Sequence, residues 1–282
     1  MSENREHAEP VPVEDRHALQ ADCANCFALC CVAPAFSASV DFAISKDAGQ
    51  ACPNLQPDFR CGVHTRLRPK GFRGCTVYDC FGAGQQVSQG TFGGQDWRRV
   101  PQAAKQMFTV FPVMRDLHEL LWYLTEARSL CPTLPLREEL TAQIEVTRNL
   151  TRSGPDELLE LDVTAHRRNV NPLLLRTSER VRAGFLSEKK DHRGADLIGA
   201  KLKGRDLTGA NLRGACLIGS DLRGADLAMA DLTGADLRDA DIRGAHLAES
   251  IFLIQSQVDA AKGDTSTMLP PSLARPGHWF TG

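Results

Sequence analysis

The chain has 282 residues, 42% hydrophobic and 24% charged, which suits one large soluble domain or two to three small ones. A formal net charge of −2 excludes a global electrostatic draw to nucleic acid or to an anionic membrane. No stretch approaches the ~20 apolar residues of a membrane helix, and the N-terminal "MSENREHAEPVPVEDRHALQ" has no apolar signal core, so a cytoplasmic protein is expected.

Residues 1–20 read as a disordered tail. Residues 21–95 are cysteine-rich: Cys23, Cys26, Cys30, Cys31, Cys52, Cys61, Cys75 and Cys80 fall within 58 residues. In a reducing compartment such clustering points to metal or redox chemistry before a disulfide frame. Thiolates are soft donors that suit zinc or iron–sulfur clusters. Cys23 and Cys26, two residues apart, can reach one metal with little ordering cost. Eight thiols exceed one tetrahedral site. The side chains of adjacent Cys30 and Cys31 diverge, so they serve two metals, or one metal and the core, more easily than one site. His64, three residues after Cys61, stands at ligand spacing. The expected ligands are therefore Cys23, Cys26, Cys30, Cys31, Cys52, Cys61, His64, Cys75 and Cys80. Structural disulfides and a reactive thiol are the competing readings; for the latter no single cysteine stands out. Arg60, Arg66, Arg68, Lys70 and Arg73 could balance an anionic cluster or simply be solvated.

The order Cys-x2-Cys, Cys-Cys, then "CPNLQPDFRCGVHTRLRPKGFRGC" resembles the YkgJ-like zinc- or iron-chelating domain family, with Cys52, Leu55, Cys61, His64, Arg68-Pro69 and Cys75 in the motif places. Three residues rather than two separate Cys26 from Cys30, and "VH" stands where an aromatic is more common. The resemblance, over residues 23 to about 80, implies metal binding and no defined activity. The region shows little hydrophobic periodicity, so cross-links are expected to hold it, and "GAGQQVSQGTFGGQ" reads as a glycine-rich linker.

Residues 96–184 turn helical. Met107, Val110, Phe111, Met114, Leu117, Leu120, Leu121 and Leu124 recur at three and four, with Pro112 expected to kink or split the helix. "REELTAQIEVTRNLTRSG" predicts a second helix stopped at Ser153-Gly154. "PDELLELDVTAHRRNV" predicts a third and "NPLLLRTSERVRAG" a fourth. His118 and His166 on these helices read as surface or packing residues, and Cys131 and Cys216 as small hydrophobes.

From Gly194 the chain repeats every five residues. Leu197, Leu202, Leu207, Leu212, Leu217, Leu222, Leu227, Leu232, Leu237, Ile242 and Leu247 mark the register, with a small residue two before each except Arg205. A period of five fits neither a helix nor a flat strand. The pattern resembles the pentapeptide-repeat family, approximately A-[DN]-L-x-x, over Gly194 to Glu249. The resemblance implies a right-handed quadrilateral β-helix of about three coils, four repeats per coil, with Leu and the small residue inside. The predicted architecture is multidomain: a small metal-stabilised Cys-rich module, an α-helical middle, the β-helix over 194–260 and a cap segment over 261–282. Phe252, Leu253, Ile254 and Val258 are expected to finish the last coil, and Trp279 to pack beside it.

Some relatives in that repeat family mimic DNA and bind gyrase. Here the rod would be about 15 Å long at the ~4.8 Å spacing of paired strands, against ~34 Å for a turn of DNA. The repeat's Asp and Arg/Lys residues nearly cancel, which makes a poor phosphate mimic. The chain has no P-loop, nucleophile elbow or HExxH motif. The function expected is a non-enzymatic, zinc-binding scaffold for an unidentified protein partner, with no membrane or nucleic-acid role. An iron or iron–sulfur redox protein is the first alternative and a gyrase modulator the second.

Overall fold

A computed structural model describes residues 16–131, 133–185 and 190–280. The chain forms two compact units: Met1–Cys75 with Asp79–Leu175, and Thr76–Tyr78 with Arg176–Gly282. Of the expected N-terminal tail, residues 1–15 lie outside the described residues, whereas Leu19 is buried.

The first unit is organised on the helix Pro101–Leu130, which carries proline in its first turn, where the missing N–H costs nothing. Pro112 lies inside it, and the helix remains one element. Its apolar stripe buries Met107, Val110, Phe111, Met114 and Leu117 in a shared core with Leu29, Ala83, Val87, Phe92 and Leu158. The helix Leu134–Leu150 buries Leu136, Leu140, Ile144 and Thr147, one face at helical spacing. After Gly154 come Pro155–Glu160 and then Val163–Val181. The expected third and fourth helices are thus divided differently. The break falls at Leu161-Asp162, where the Asp162 carboxylate accepts the Ala165 N–H at 2.9 Å, and Pro172 continues the helix rather than starting one.

The cysteine region has no long element. It folds through the short helix Leu29–Val32 and two isolated antiparallel bridges, Phe36 with Lys46 and Leu55 with Cys61. The expectation that it has little core of its own holds, but its packing partner is the long helix, against which Cys26, Phe27, Cys80 and Trp97 lie. The "GAGQQVSQGTFGGQ" stretch is not a linker. Ala83–Gln85 is an α-turn running into a π-turn at Gln86–Thr91, with Ala83, Val87 and Ser88 fully buried. Its glycines permit close approach rather than looseness: a Cβ at Gly84 would sit 2.6 Å from the Cys26 sulfur.

The second unit contains the repeats. Parallel bridges join residues twenty apart: Asp191 to Asn211, Asp196 to Cys216, Lys201 to Asp221 and Asp206 to Asp226, each continued one coil further on. Twenty residues per coil in units of five makes four faces. Each face is held by isolated bridges, and no extended strand occurs among the described residues. Leu212, Leu217, Leu222, Leu227 and Leu232 are fully buried beside Ala210, Ala215, Ala225 and Ala230 in one continuous core.

The ladder runs from Asp191 to Met268, past both ends of the Gly194–Glu249 repeat. Lys262 pairs with Asp241 at a separation of 21 and Met268 with His246 at 22. Backbone pairing needs no Leu/Ala pattern once a coil below supplies the template. Phe252, Leu253, Ile254 and Val258 are buried as expected. The helix Gln255–Ala260 brings in Gln257, whose side-chain amide donates to the Leu232 and Ala235 carbonyls at 2.8 Å each. Trp279 is buried against the same core and donates to Ala261 O at 3.2 Å.

Candidate functional site

Two surfaces carry chemistry: the thiol cluster of the first unit and the faces of the coil. At the cluster, the short helix Leu29–Val32 places Cys30 and Cys31 on successive positions, their sulfurs 3.9 Å apart. Cys23, Cys26, Cys30 and Cys80 line one small cavity of about 20 Å³ backed by Gly84 and Phe111. That is room for a single ion or water, not for an organic ligand. The backbone N–H groups of Leu29 and Ala28 point to the Cys26 sulfur, and those of Gly82 and Gly84 to the Cys80 sulfur. Such donors favour the thiolate.

Outside that cavity, Cys52, Cys61 and Cys75 lie near Cys31. The Cys52 N–H bonds to Cys31 O at 3.0 Å, Cys61 sits in the bridge with Leu55, and Cys75 lies within electrostatic reach of Cys31, Cys52 and Cys61. The Val63 N–H points to the Cys61 sulfur. Among the described residues, no group of three or more His, Cys, Asp or Glu side chains stands in a geometry that could hold a metal ion, and no cysteine is in a disulfide. His64 is exposed in the turn His64–Arg66, and only its backbone bonds toward Cys61, at 3.2 Å to the carbonyl.

Burial pushes the Cys26 and Cys75 thiols up to about 11, and raises Cys23, Cys61 and Cys80 as well. Cys30 is raised because its hydrogen bond to Cys31 holds its proton, and burial adds to this; Cys31 is lowered as the receiving sulfur. Cys30 keeps accessible surface although protein crowds its sulfur, and it is the accessible surface that governs what an ion can reach. Buried thiols of this kind are poor nucleophiles without a cation beside them.

The sequence reading missed Lys46. It is 6% exposed, and its ammonium donates to the carbonyls of Val32, Asp47 and Gln50 at 2.9, 3.0 and 2.9 Å. Burial lowers its pKa, opposed by the nearby Cys52 and Cys31. Its three donors are each taken by a carbonyl, which is what a buried ammonium requires. The only signal for it in sequence is a lone lysine between two cysteine groups. Of the five cations singled out above, Arg60, Arg66 and Lys70 are exposed and Arg68 and Arg73 half-buried, and Arg60 lies near Cys23. Asp79 accepts the Phe81 N–H at 2.8 Å and so shapes a turn.

On the coil, the Asp of each repeat is structural before it is electrostatic. The Asp206, Asp226 and Asp231 carboxylates accept the N–H two residues on at 2.9, 3.0 and 2.9 Å. This is the side-chain turn that Asp and Asn make well. Cys216 occupies the same position as a half-exposed side chain and offers no such oxygen. Arg223, Arg238 and Arg243 then fork onto Asp221, Asp236 and Asp241 at 2.7, 2.6 and 2.6 Å. Asp221 is held at about 2, the Arg223 hydrogen bond being the largest cause. Asp231 is the exception, 1% exposed, and accepts from Ser178 at 2.6 Å while Arg182 donates to Ser178 at 3.0 Å. One face repeats Lys203, Arg223 and Arg243 at twenty-residue spacing, flanked by exposed Lys201 and Lys262.

His118 and His166 prove to be packing residues: His118 Nδ1 bonds Phe81 O at 2.7 Å and His166 Nε2 meets the Thr147 hydroxyl at 2.9 Å. No helix among the described residues is long and apolar enough to cross a membrane.

The pentapeptide-repeat family profile matches residues 193–228 and 215–252, with eight copies. The "Uncharacterized protein YybG" of Bacillus subtilis (strain 168) is 61% identical over 264 residues, covering 93% of this chain and 95% of that protein. The crystal structure of alr5209, a pentapeptide repeat protein from Nostoc Pcc 7120, is 32% identical and covers 35% of this chain and 91% of that one, with a TM-score of 0.16. The YkgJ-like resemblance of the cysteine region has no counterpart in these findings.

Proposed function

The chain belongs to the family of Bacillus subtilis YybG and carries pentapeptide repeats, and on that premise we propose a non-enzymatic scaffold: a zinc-held cysteine module joined to a coil that docks a protein partner. The observation that carries the docking role is the row Lys203, Arg223 and Arg243, one cation per coil on one face. Arg223 and Arg243 are paired with Asp221 and Asp241, and the exposed Lys201 and Lys203 beside them keep the face cationic, which suits a partner that presents carboxylates. Phosphate mimicry is disfavoured, because the same pairing masks the carboxylates and the four levels of one face span only about 14 Å. The cytoplasmic setting is part of the proposal, since it keeps the thiols reduced.

A photo-crosslinking side chain at position 203 in cells is expected to capture a defined protein, and Arg223→Glu with Arg243→Glu to abolish the capture. An undiminished product in the double variant would overturn the docking face. For the module, anaerobically isolated native protein is expected to be colourless and to contain zinc. Visible absorption with iron would move the reading to a redox centre, and neither metal would end it.

A further inference from the structure

We propose that the first unit binds a small hydroxycarboxylate, apart from the thiols and the coil, in a cavity of about 210 Å³. His118, Leu121 and Thr125, three and four residues apart on the helix Pro101–Leu130, form one wall. Leu19 and the turn that follows the helix Leu134–Leu150, with Arg148 and Arg152, form the others. The Gln86 side-chain amide donates to Thr151 O at 3.2 Å and ties that turn to the π-turn Gln86–Thr91. An apolar cavity of ~150 Å³ takes benzene, so this one has room for about eight non-hydrogen atoms.

Two polar side chains in the wall are buried and open to the cavity. His118 is 5% exposed and Thr125 2%. The Phe81 carbonyl, 2.7 Å from His118 Nδ1, can only accept, so Nδ1 carries the proton and Nε2 an open lone pair. Burial holds the ring neutral at neutral pH. Among the described residues, no group bonds Nε2 and none bonds the Thr125 hydroxyl. The hydroxyls of Thr109 and Thr141 turn back to the carbonyl four residues before, and that of Thr125 does not. Neither atom is sealed inside the protein, so both face the open space. A polar atom held in a buried wall gains from a ligand that supplies its hydrogen bond.

The pattern selects the ligand. A lone pair at Nε2 needs a donor and turns away a bare carboxylate. The Thr125 hydroxyl beside it can donate or accept. Leu19 and Leu121 are buried and suit a short alkyl chain. At the rim Arg152 is exposed and has no ion-pair partner among the described residues, whereas Arg148 is engaged by Glu145. One unengaged guanidinium suits one carboxylate. An acceptor-only nitrogen, an alkyl wall and a single cation together describe a monoanion that also carries a hydroxyl.

Isothermal titration calorimetry of the full chain, with 2-hydroxyisovalerate and with 3-hydroxyvalerate, tests this. At least one is expected to bind one to one, and isovalerate, which lacks the hydroxyl, at least about tenfold more weakly. No binding of either hydroxy acid, or equal binding of isovalerate, overturns the proposal. Tighter binding of valine overturns the choice of a hydroxy acid. Thr125→Val, which keeps the shape of the wall, and Arg152→Gln, at the exposed rim, are each expected to weaken binding about tenfold; unchanged affinity in both overturns the site. Because a variant can disturb the fold, nitrogen NMR of the histidine-labelled wild-type chain decides independently. The His118 Nε2 resonance is expected to shift as its lone pair accepts the ligand hydroxyl, and a resonance that stays in place while heat of binding is seen overturns the assignment.

Discussion

Gly219→Ala isolates the backbone cost of a coil corner. Gly219 closes a turn in which the Ser220 N–H bonds Leu217 O at 3.0 Å, and its φ is +63°. A Cβ there meets nothing within 4 Å, so no clash contributes. What remains is the left-handed penalty of an L-residue, about 1–2 kcal/mol, less about 0.4–1 kcal/mol from the stiffer unfolded chain. The net is a loss of about 1 kcal/mol, or about 2–4 °C in Tm for a protein of this size. Met229 provides the reciprocal case. It holds the equivalent corner at φ +56°, so Met229→Gly is expected to recover part of that strain. Gly209→Ala should cost more than either estimate, since its Cβ would lie 2.3 Å from Phe185 Cβ. Thermal and urea unfolding followed by circular dichroism reads all three. A neutral Gly219→Ala together with a destabilising Met229→Gly would refute the claim that the corners are selected for left-handed backbone.

Asp231→Ala is expected to cost about 3 kcal/mol in urea unfolding, because it removes the acceptor of the Ser178 hydroxyl and the ion-pair partner of Arg213 at a buried position. Gly84→Ala should displace the Cys26 sulfur and lower the zinc bound per chain, measured by elemental analysis; unchanged content would show that Cys26 is no ligand. Burial holds His118 down at about 4 against 6.5 unfolded, so the unfolded chain takes up the proton first on acidification. The His118 contribution is therefore complete above about pH 6.5 and falls by about 3 kcal/mol as pH drops toward 4; His118→Asn should flatten that slope in pH-dependent unfolding.

The repeat was legible because its information is local. Each pentapeptide states its inward Leu, its small residue and its turn, and eleven copies in register leave one stacked solution. The buried helix stripe from Met107 to Leu124 was legible for the same reason, whereas His118 and His166 could be read only as surface or packing residues until their partners Phe81 and Thr147 were in place.

Only the tertiary structure decided what depends on distant neighbours. The stretch from Gly82 to Gln95 reads as a linker until the long helix and Cys26 are placed against it; its glycines then serve contact rather than freedom. Lys46 has no pattern in sequence, since its site is made by the Val32 carbonyl and by two carbonyls of the turn from Asp47 to Gln50. The repeat Asp residues read as surface charge until the backbone brings an N–H to each carboxylate. Lys262 and Met268 join the ladder without the motif, because parallel pairing is a property of the backbone and of the coil beneath it. Periodicity records which way a side chain faces; which residues from far along the chain it meets there is settled by packing alone.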